Sequence, residues 1–420
     1  MRTVTVDIGE PMPPYTPLGP PAADIRVLFL LPARGGSGGV HSIVQECHGM
    51  NALGAFAQVA IPRRLSDGYR RDYPDFPRQL FHVYDGFTDL SHYAATFHVA
   101  VATIYTSVEL LGELKASRPR LRAAYYVQDY EPWFAPPGSE ARKRAAASYT
   151  ALPDALAFAK TDWIRDMVAS HHSVVVEKVV PSIDHEVYRP RPRPRPQRTS
   201  RLKICAMVRP STARRNASGT MRVLADLERR WHGRVEVAIF GCPSWDRKFR
   251  PLERAFDYRN HGRLTRARVA QLLQSSDVFV DLSLFQAFGR TALEAMACGC
   301  SVVLTRHGGI GEYAVDGDNC LLVDPADEPE CVATIERLLS DDDLRARLRR
   351  VGLETARRYS VEAAAASELA LLRPFASPLS DAARETNRTP RPGVPFSVPA
   401  AEETQASEAG RLHGRSGSAS

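Results

Sequence analysis

Gln286 and Glu294 stand eight positions apart in the segment Phe285-Gln286-Ala287-Phe288-Gly289-Arg290-Thr291-Ala292-Leu293-Glu294, which runs on through Ala295-Met296-Ala297-Cys298 to Gly299. On one straight helix that spacing would part them by roughly 12 Å, at about 1.5 Å rise per residue. The segment is not one helix, however. The apolar run Val278 to Leu282 before it reads as a buried parallel strand, and Gly299 closes the helix behind it. A glycine turn at Phe288-Gly289 must therefore fold Gln286 back toward the helix that carries Glu294. Free backbone N–H groups and the positive end of that helix then converge at one mouth, which is the chemistry of an anion site.

This segment resembles the donor-binding signature of the retaining, nucleotide-sugar-dependent glycosyltransferases of family 4, which have the GT-B fold. Their signature is Glu, a small residue, Phe-Gly, and then Glu in a Leu-Glu-Ala-Met-Ala-Cys-Gly helix; Phe288-Gly289 and Leu293 to Gly299 match it. The stretches Gly308-Gly309-Ile310-Gly311-Glu312, Asp316-Gly317-Asp318-Asn319 and Leu321-Leu322-Val323 are similar to the family's next turn and strand. The chain departs from the pattern at Gln286, where the family has its first glutamate. An amide still donates and accepts hydrogen bonds but carries no charge.

The resemblance implies roles for further residues. Arg209, after the strand ending Met207-Val208, stands where the family has its first phosphate-binding cation. Arg214 or Arg215 stands for the family's lysine, and Asn216 replaces the glycine after it. Guanidinium groups suit phosphate through bidentate hydrogen bonds. The catalytic set implied is Arg209, Arg215 and Glu294, with Glu294 on the nucleotide ribose. The donor site adds Gly38, Gly39, Arg214, Gln286, Phe288, Gly289, Arg290 and Thr291. No metal and no cofactor is expected, because arginines and a helix dipole suffice for a diphosphate.

Two rival readings are set aside, the first on spacing and the second because the neighbouring residues resemble the family's pattern. The run Gly35-Gly36-Ser37-Gly38-Gly39 opens a helix after a first strand, as in a dinucleotide-binding fold, but position 41 is His and the second strand ends Ala60-Ile61-Pro62-Arg63 without an acidic ribose ligand. Asp316 and Asp318 form a D-x-D, read here as a turn rather than a metal site.

In the first half, Tyr125-Tyr126-Val127-Gln128-Asp129-Tyr130-Glu131-Pro132-Trp133 ends a strand in polar and aromatic residues. Aromatic faces cover sugar C–H surfaces and carboxylates bind hydroxyls. Gln128, Asp129, Tyr130, Glu131 and Trp133 are the acceptor-side candidates. With Pro136-Pro137-Gly138-Ser139-Glu140 this stretch looks like the bacterial rhamnosyltransferase subgroup, which implies L-rhamnose carried on dTDP.

At 420 residues, 44% hydrophobic and 25% charged, the chain can bury two ordinary cores. The net charge of +7 does not mark a nucleic-acid binder, since 49 arginines against six lysines spread along the whole chain look like a coding bias. Seven cysteines without a C-x-x-C suit reduced thiols and a cytoplasmic setting. No apolar run approaches about 18 residues, and Met1 to Ala23 lacks the apolar core of a signal peptide. Basic clusters such as Arg63-Arg64 and Arg142-Lys143-Arg144 offer the first domain a peripheral contact with the inner face of a membrane.

The expected architecture is α/β, with two Rossmann-like parallel-sheet domains facing a cleft. A disordered leader (1–23) precedes a Rossmann-like acceptor-side domain (24–188). Alternating Pro and Arg mark a linker (189–200). A nucleotide-sugar-binding domain (201–360) follows, then a C-terminal helix (361–375) packing back on the first domain and a disordered tail (376–420). The function implied is a retaining hexosyltransferase, moving a sugar from a dTDP- or UDP-linked donor to a glycan or lipid-linked glycan. The alternatives are a catalytically silent glycan-binding scaffold, motivated by Gln286, and a sugar-nucleotide epimerase.

Overall fold

The computed structural model describes residues 23–191 and 201–376. Seven parallel strands make the first sheet: β1 (Arg26–Leu30), β2 (Phe56–Pro62), β3 (Phe81–Tyr84), β4 (Val99–Ala102), β5 (Arg122–Val127), β6 (Leu156–Ala159) and β7 (Glu177–Lys178), in the order β3-β2-β1-β4-β5-β6-β7. Six parallel strands make the second: β8 (Leu202–Met207), β9 (Val235–Phe240), β10 (Arg259–Asn260), β11 (Val278–Asp281), β12 (Ser301–Thr305) and β13 (Leu321–Val323), in the order β10-β9-β8-β11-β12-β13. The central strands are near-continuous apolar runs because helices cover both faces. Val99–Ala102 and Val278–Asp281 are buried at every position.

Strand order reverses beside β1 in one sheet and beside β8 in the other, where each pairs with two neighbours of opposite sequence direction. Such switch points open crevices at the carboxyl ends of the strands. The loops after β1, β8 and β11, which hold the glycine run, the arginines and Gln286, all lie there.

The last helix, Val361–Ala376, leaves the second domain and joins the core of the first: Ala365, Leu369, Leu372 and Phe375 pack with Val40, Ile43, Val44 and Cys47 of the helix Gly38–Ala52. Burying each of the larger side chains contributes about 1.5–3 kcal/mol. Gly49 sets the approach, since a Cβ there would meet Val361 Cγ1 at 2.9 Å and Ala365 Cβ at 3.1 Å.

Several elements differ from the sequence reading. The apolar run Val174 to Val179, which reads in the sequence as a strand, yields only the two-residue strand β7. The helix Asp342–Ala356, capped by the Asp341 side chain on the Leu344 N–H, has no counterpart in that reading. Its exposed face is crowded with arginines, and only Leu344, Leu348 and small residues are buried, so its apolar period is faint. The expected leader, nearly all the Pro/Arg linker and the tail lie outside the described residues.

Candidate functional site

The second domain builds its side of the cleft from two loops bonded to each other. Leu284 N, after β11, donates to Arg214 O, after β8, at 2.8 Å. Asn216 takes the left-handed conformation (φ 46°) and its side chain caps the helix Ala217–Arg230 through the Gly219 N–H. Asparagine is the usual substitute for glycine in that conformation, so the departure from the family's glycine preserves the turn. Behind the second loop, Gly308 and Gly309 lie against the Gln286-Ala287 backbone. A Cβ on Gly309 would stand 2.0 Å from Ala287 O, and Gly309 N donates to Gln286 O at 2.6 Å. Gly289 (φ 78°) starts the helix Arg290–Ala297, and Tyr313 Oη fixes the turn by donating to Gly289 O at 2.8 Å. The turn thus holds Phe288, Gly289, Arg290 and Thr291 at the helix N-terminus beside Gln286.

Each arginine has a different commitment. Arg209 makes no ion pair among the described residues, and burial with the charges of Arg263 and Arg214 pushes its pKa down, against Glu294. Arg215 is largely buried, 3.8 Å from Asp281 Oδ2, and burial pushes it down to about 10. Arg214 reaches into the first domain and pairs with Asp129 at 2.5 Å, its guanidinium over the rings of Phe134 and Phe285 at 5.4 Å each. Arg290 lies 3.7 Å from Glu294 Oε1 and donates to Ser42 of the first domain. Burial pushes the Glu294 carboxyl up to about 7, with Arg290 and Arg266 pulling the other way.

The first domain supplies the opposite wall. Ser37 caps the helix Gly38–Ala52, and Gly38 and Gly39 present bare backbone: a Cβ on Gly38 would lie 3.7 Å from Arg290 Cδ and one on Gly39 3.1 Å from Gln128 Oε1. Next in line, His41 bonds Tyr73 Oη through Nδ1 at 2.8 Å, and burial with three nearby arginines (Arg290, Arg266, Arg209) pushes it down to about 3, so the ring is neutral. Lys160 donates to Ser42 Oγ at 2.8 Å and to Gln128 Oε1 at 3.3 Å and lies 5.9 Å from the Phe288 ring centre. Burial lowers it to about 8. Thr161 Oγ1 closes the seam by donating to Ala287 O at 3.0 Å.

Ser42, Lys160 and Asp281 are not among the residues that sequence reasoning selects. Lys160 carried a signal, a rare lysine in an arginine-rich chain directly before the helix cap Thr161. The others carried none that separates them from ordinary core residues.

The acceptor-side candidates divide. Gln128 and Asp129 reach the interdomain seam through Lys160 and Arg214. Trp133 joins Trp163 and Phe285 in an aromatic cluster that spans both domains, its ring centre 5.0 Å from that of Phe285. Glu131, expected to bind hydroxyls, is instead turned inward. It accepts from Tyr105 N at 2.7 Å and Tyr125 Oη at 3.1 Å, and burial pushes it up to about 8. Tyr130 is likewise buried, bonded to His172 Nε2 at 3.1 Å and stacked with Tyr149. Neither lies on β5, which ends at Val127: Tyr130 precedes and Glu131 opens the short 3-10 helix Glu131–Phe134, and both are buried there.

Asp316 accepts from Leu322 N at 2.8 Å in a turn about Gly317 (φ 71°). Among the described residues no three His, Cys, Asp or Glu side chains gather as metal ligands.

Residues 191–354 match the family model for glycosyl transferases, group 1. The matched stretch holds the strands and most of the helices of the second domain. Over 269 residues, 63% of this chain, the sequence is 29% identical to the O-antigen biosynthesis protein RfbC of Myxococcus xanthus, and over 256 residues, 56% of this chain, 28% identical to the D-inositol 3-phosphate glycosyltransferase of Corynebacterium efficiens. The matches span 20% and 60% of those two proteins, so the chain covers less than two thirds of either. Among solved structures, HepE of Anabaena in complex with UDP and glucose aligns with a TM-score of 0.67 at 15% identity, over 83% of this chain and 99% of that one. Sucrose-phosphate synthase of Thermosynechococcus elongatus aligns with a TM-score of 0.65 at 13% identity, over 84% and 99%. The fold is GT-B.

Proposed function

We propose that the chain is a glycosyltransferase that moves a sugar from a nucleotide-sugar donor to a growing glycan with retention, L-rhamnose on dTDP being the donor of first choice and a UDP-sugar the second. The observation that carries this reading is the meeting of Arg209, Arg215 and Arg290 with the N-terminus of the helix Arg290–Ala297 at the switch point of the second sheet. Backbone N–H groups and guanidinium groups fixed in a partly dry cleft stabilise the negative charge that develops on a departing diphosphate. Glu294, its carboxyl pushed up to about 7 by burial, accepts hydroxyls of the nucleotide ribose when ionised. Gly38 and Gly39 let the first domain close on the diphosphate without side chains in the way.

Retention is assigned to attack from the face the diphosphate leaves, within an ion pair. The carboxyls at the seam, Glu294, Asp281 and Asp129, are each engaged by an arginine or an amide and are poorly placed to serve as a nucleophile. The intact arginines and Glu294 speak against a silent scaffold. The relatives support the donor and acceptor classes: an O-antigen biosynthesis protein, and HepE with UDP and UDP-glucose.

No helix of the described residues is long and apolar enough to cross a membrane. A lipid-linked acceptor would be met at the surface, through the basic clusters of the first domain. Thermal-shift measurements with UDP, GDP, dTDP and dTDP-L-rhamnose, followed by product analysis with the stabilising donor, test the reading. A ligand at about 100 times its dissociation constant adds roughly 2.7 kcal/mol of stability. No stabilisation by any nucleotide would overturn it.

A further inference from the structure

The side chain of Gln286 is held from behind. Its Nε2 donates to Asp281 Oδ2 at 2.7 Å and to Ser283 Oγ at 3.0 Å, while Asp281 Oδ1 takes the Ser283 backbone N–H at 3.1 Å and the Ser283 hydroxyl. Gln286 and Asp281 are 3% and 8% exposed, so water competes little for these bonds. An ionised carboxylate only accepts hydrogen bonds, so it dictates which end of the amide faces it. Oε1 must point the other way. Among the described residues no donor meets Oε1, and it is not one of the sealed, unsatisfied atoms.

Building on the donor site proposed above, we propose that Asp281 is a positioning residue for the donor sugar: it locks the Gln286 amide so that Oε1, a neutral acceptor, receives a hydroxyl of an uncharged sugar. The pair Asp281 and Gln286 replaces a single carboxylate at position 286. The negative charge sits one step back at the end of β11, beside Arg215. A glutamate at 286 would set two carboxylates at hydrogen-bond distance, and two such groups cannot both ionise without cost. The residue at 286 is thus tied to the residue at 281.

The test is a relocation of the charge. Wild type, Asp281→Asn, Gln286→Glu and the double variant are compared, with melting curves to confirm folding, for binding of UDP and dTDP alone and for turnover of UDP-glucose and dTDP-L-rhamnose. The nucleotides lack the sugar, so none of the variants should bind the preferred one more than about twofold more weakly than wild type, and Asp281→Asn, which releases Arg215, should bind it at least as tightly. Each single variant should lose tenfold or more in kcat/KM for the preferred donor. The double variant, in which the amide now at position 281 can donate to the carboxylate now at position 286, should recover most of that loss. Single variants equal to wild type, a double variant no better than the weaker single, or a loss of nucleotide binding in Asp281→Asn would each overturn the proposal and leave the glycosyltransferase reading standing. A wild type that binds neither nucleotide and turns over neither donor would overturn that reading, and this one with it.

Discussion

Arg214 of the second domain and Asp129 of the first pair at 2.5 Å across the cleft, and Nε and Nη1 of that arginine are sealed from solvent without a hydrogen-bond partner. An unsatisfied buried donor costs about 1–3 kcal/mol, which a phosphate oxygen would offset. Asp129 meanwhile repels any anion nearby. Asp129→Asn should therefore lower the melting temperature of the unliganded protein yet tighten nucleotide diphosphate binding about tenfold, about 1.4 kcal/mol. Isothermal titration of both proteins decides it; weaker binding in the variant would show that Asp129 presents the arginine to the ligand.

Arg209 has no ion-pair partner among the described residues, so its removal breaks no salt bridge in the unliganded fold. Arg209→Ala should keep the melting temperature within a degree or two and cost about 1.5–3 kcal/mol of nucleotide affinity, the worth of a charge-assisted contact. Unchanged affinity in titrations would remove Arg209 from the donor site.

Glu294 sets a pH dependence whose sign follows from its raised pKa of about 7. The folded protein holds a proton that the unfolded chain releases near 4.5, so stability from this group is full below that value and is lost as pH rises through about 7. Donor affinity runs the other way if the ionised carboxylate accepts ribose hydroxyls, climbing as pH rises through the same value. Glu294→Gln should flatten both profiles in melting and binding measurements. A pH profile of affinity that survives the substitution would assign it to another group.

Asn216 should accept glycine but not alanine. Asn216→Gly keeps the left-handed turn and loses only a few tenths of a kcal/mol of capping. Asn216→Ala combines about 1–2 kcal/mol of left-handed strain with the lost cap, and it displaces Arg214 and Arg215. Denaturant unfolding separates the two variants, and equal stability would mean that the turn relaxes at no cost.

The parts of the site legible in sequence from conformation alone were those that a backbone must build: the strand, turn and helix around Gly289 and the glycine run, whereas the cations after β8 entered only through the resemblance. These rest on local rules of conformation and period. The partners of the side chains were not legible, because they are chosen by tertiary approach. Nothing near Glu131 announces that it turns inward to Tyr105 N and Tyr125, and nothing near Arg214 announces Asp129. Likewise Gln286 reads as a lost charge until Asp281, five residues earlier, is seen against it. The helix Asp342–Ala356 escaped for a different reason, since its narrow apolar stripe is diluted by arginine on the other faces.

The helix Val361–Ala376 gives the chain an order of manufacture. Residues 365–375 complete a core whose other members, such as Val40 and Ile43, leave the ribosome more than 300 residues earlier. During synthesis the first domain must wait with an apolar seam open while the whole second domain is made and folds. A stop after the helix Asp342–Ala356 but before about residue 365 would release a chain with a finished second domain and an unsealed first one, a substrate for chaperones and proteases.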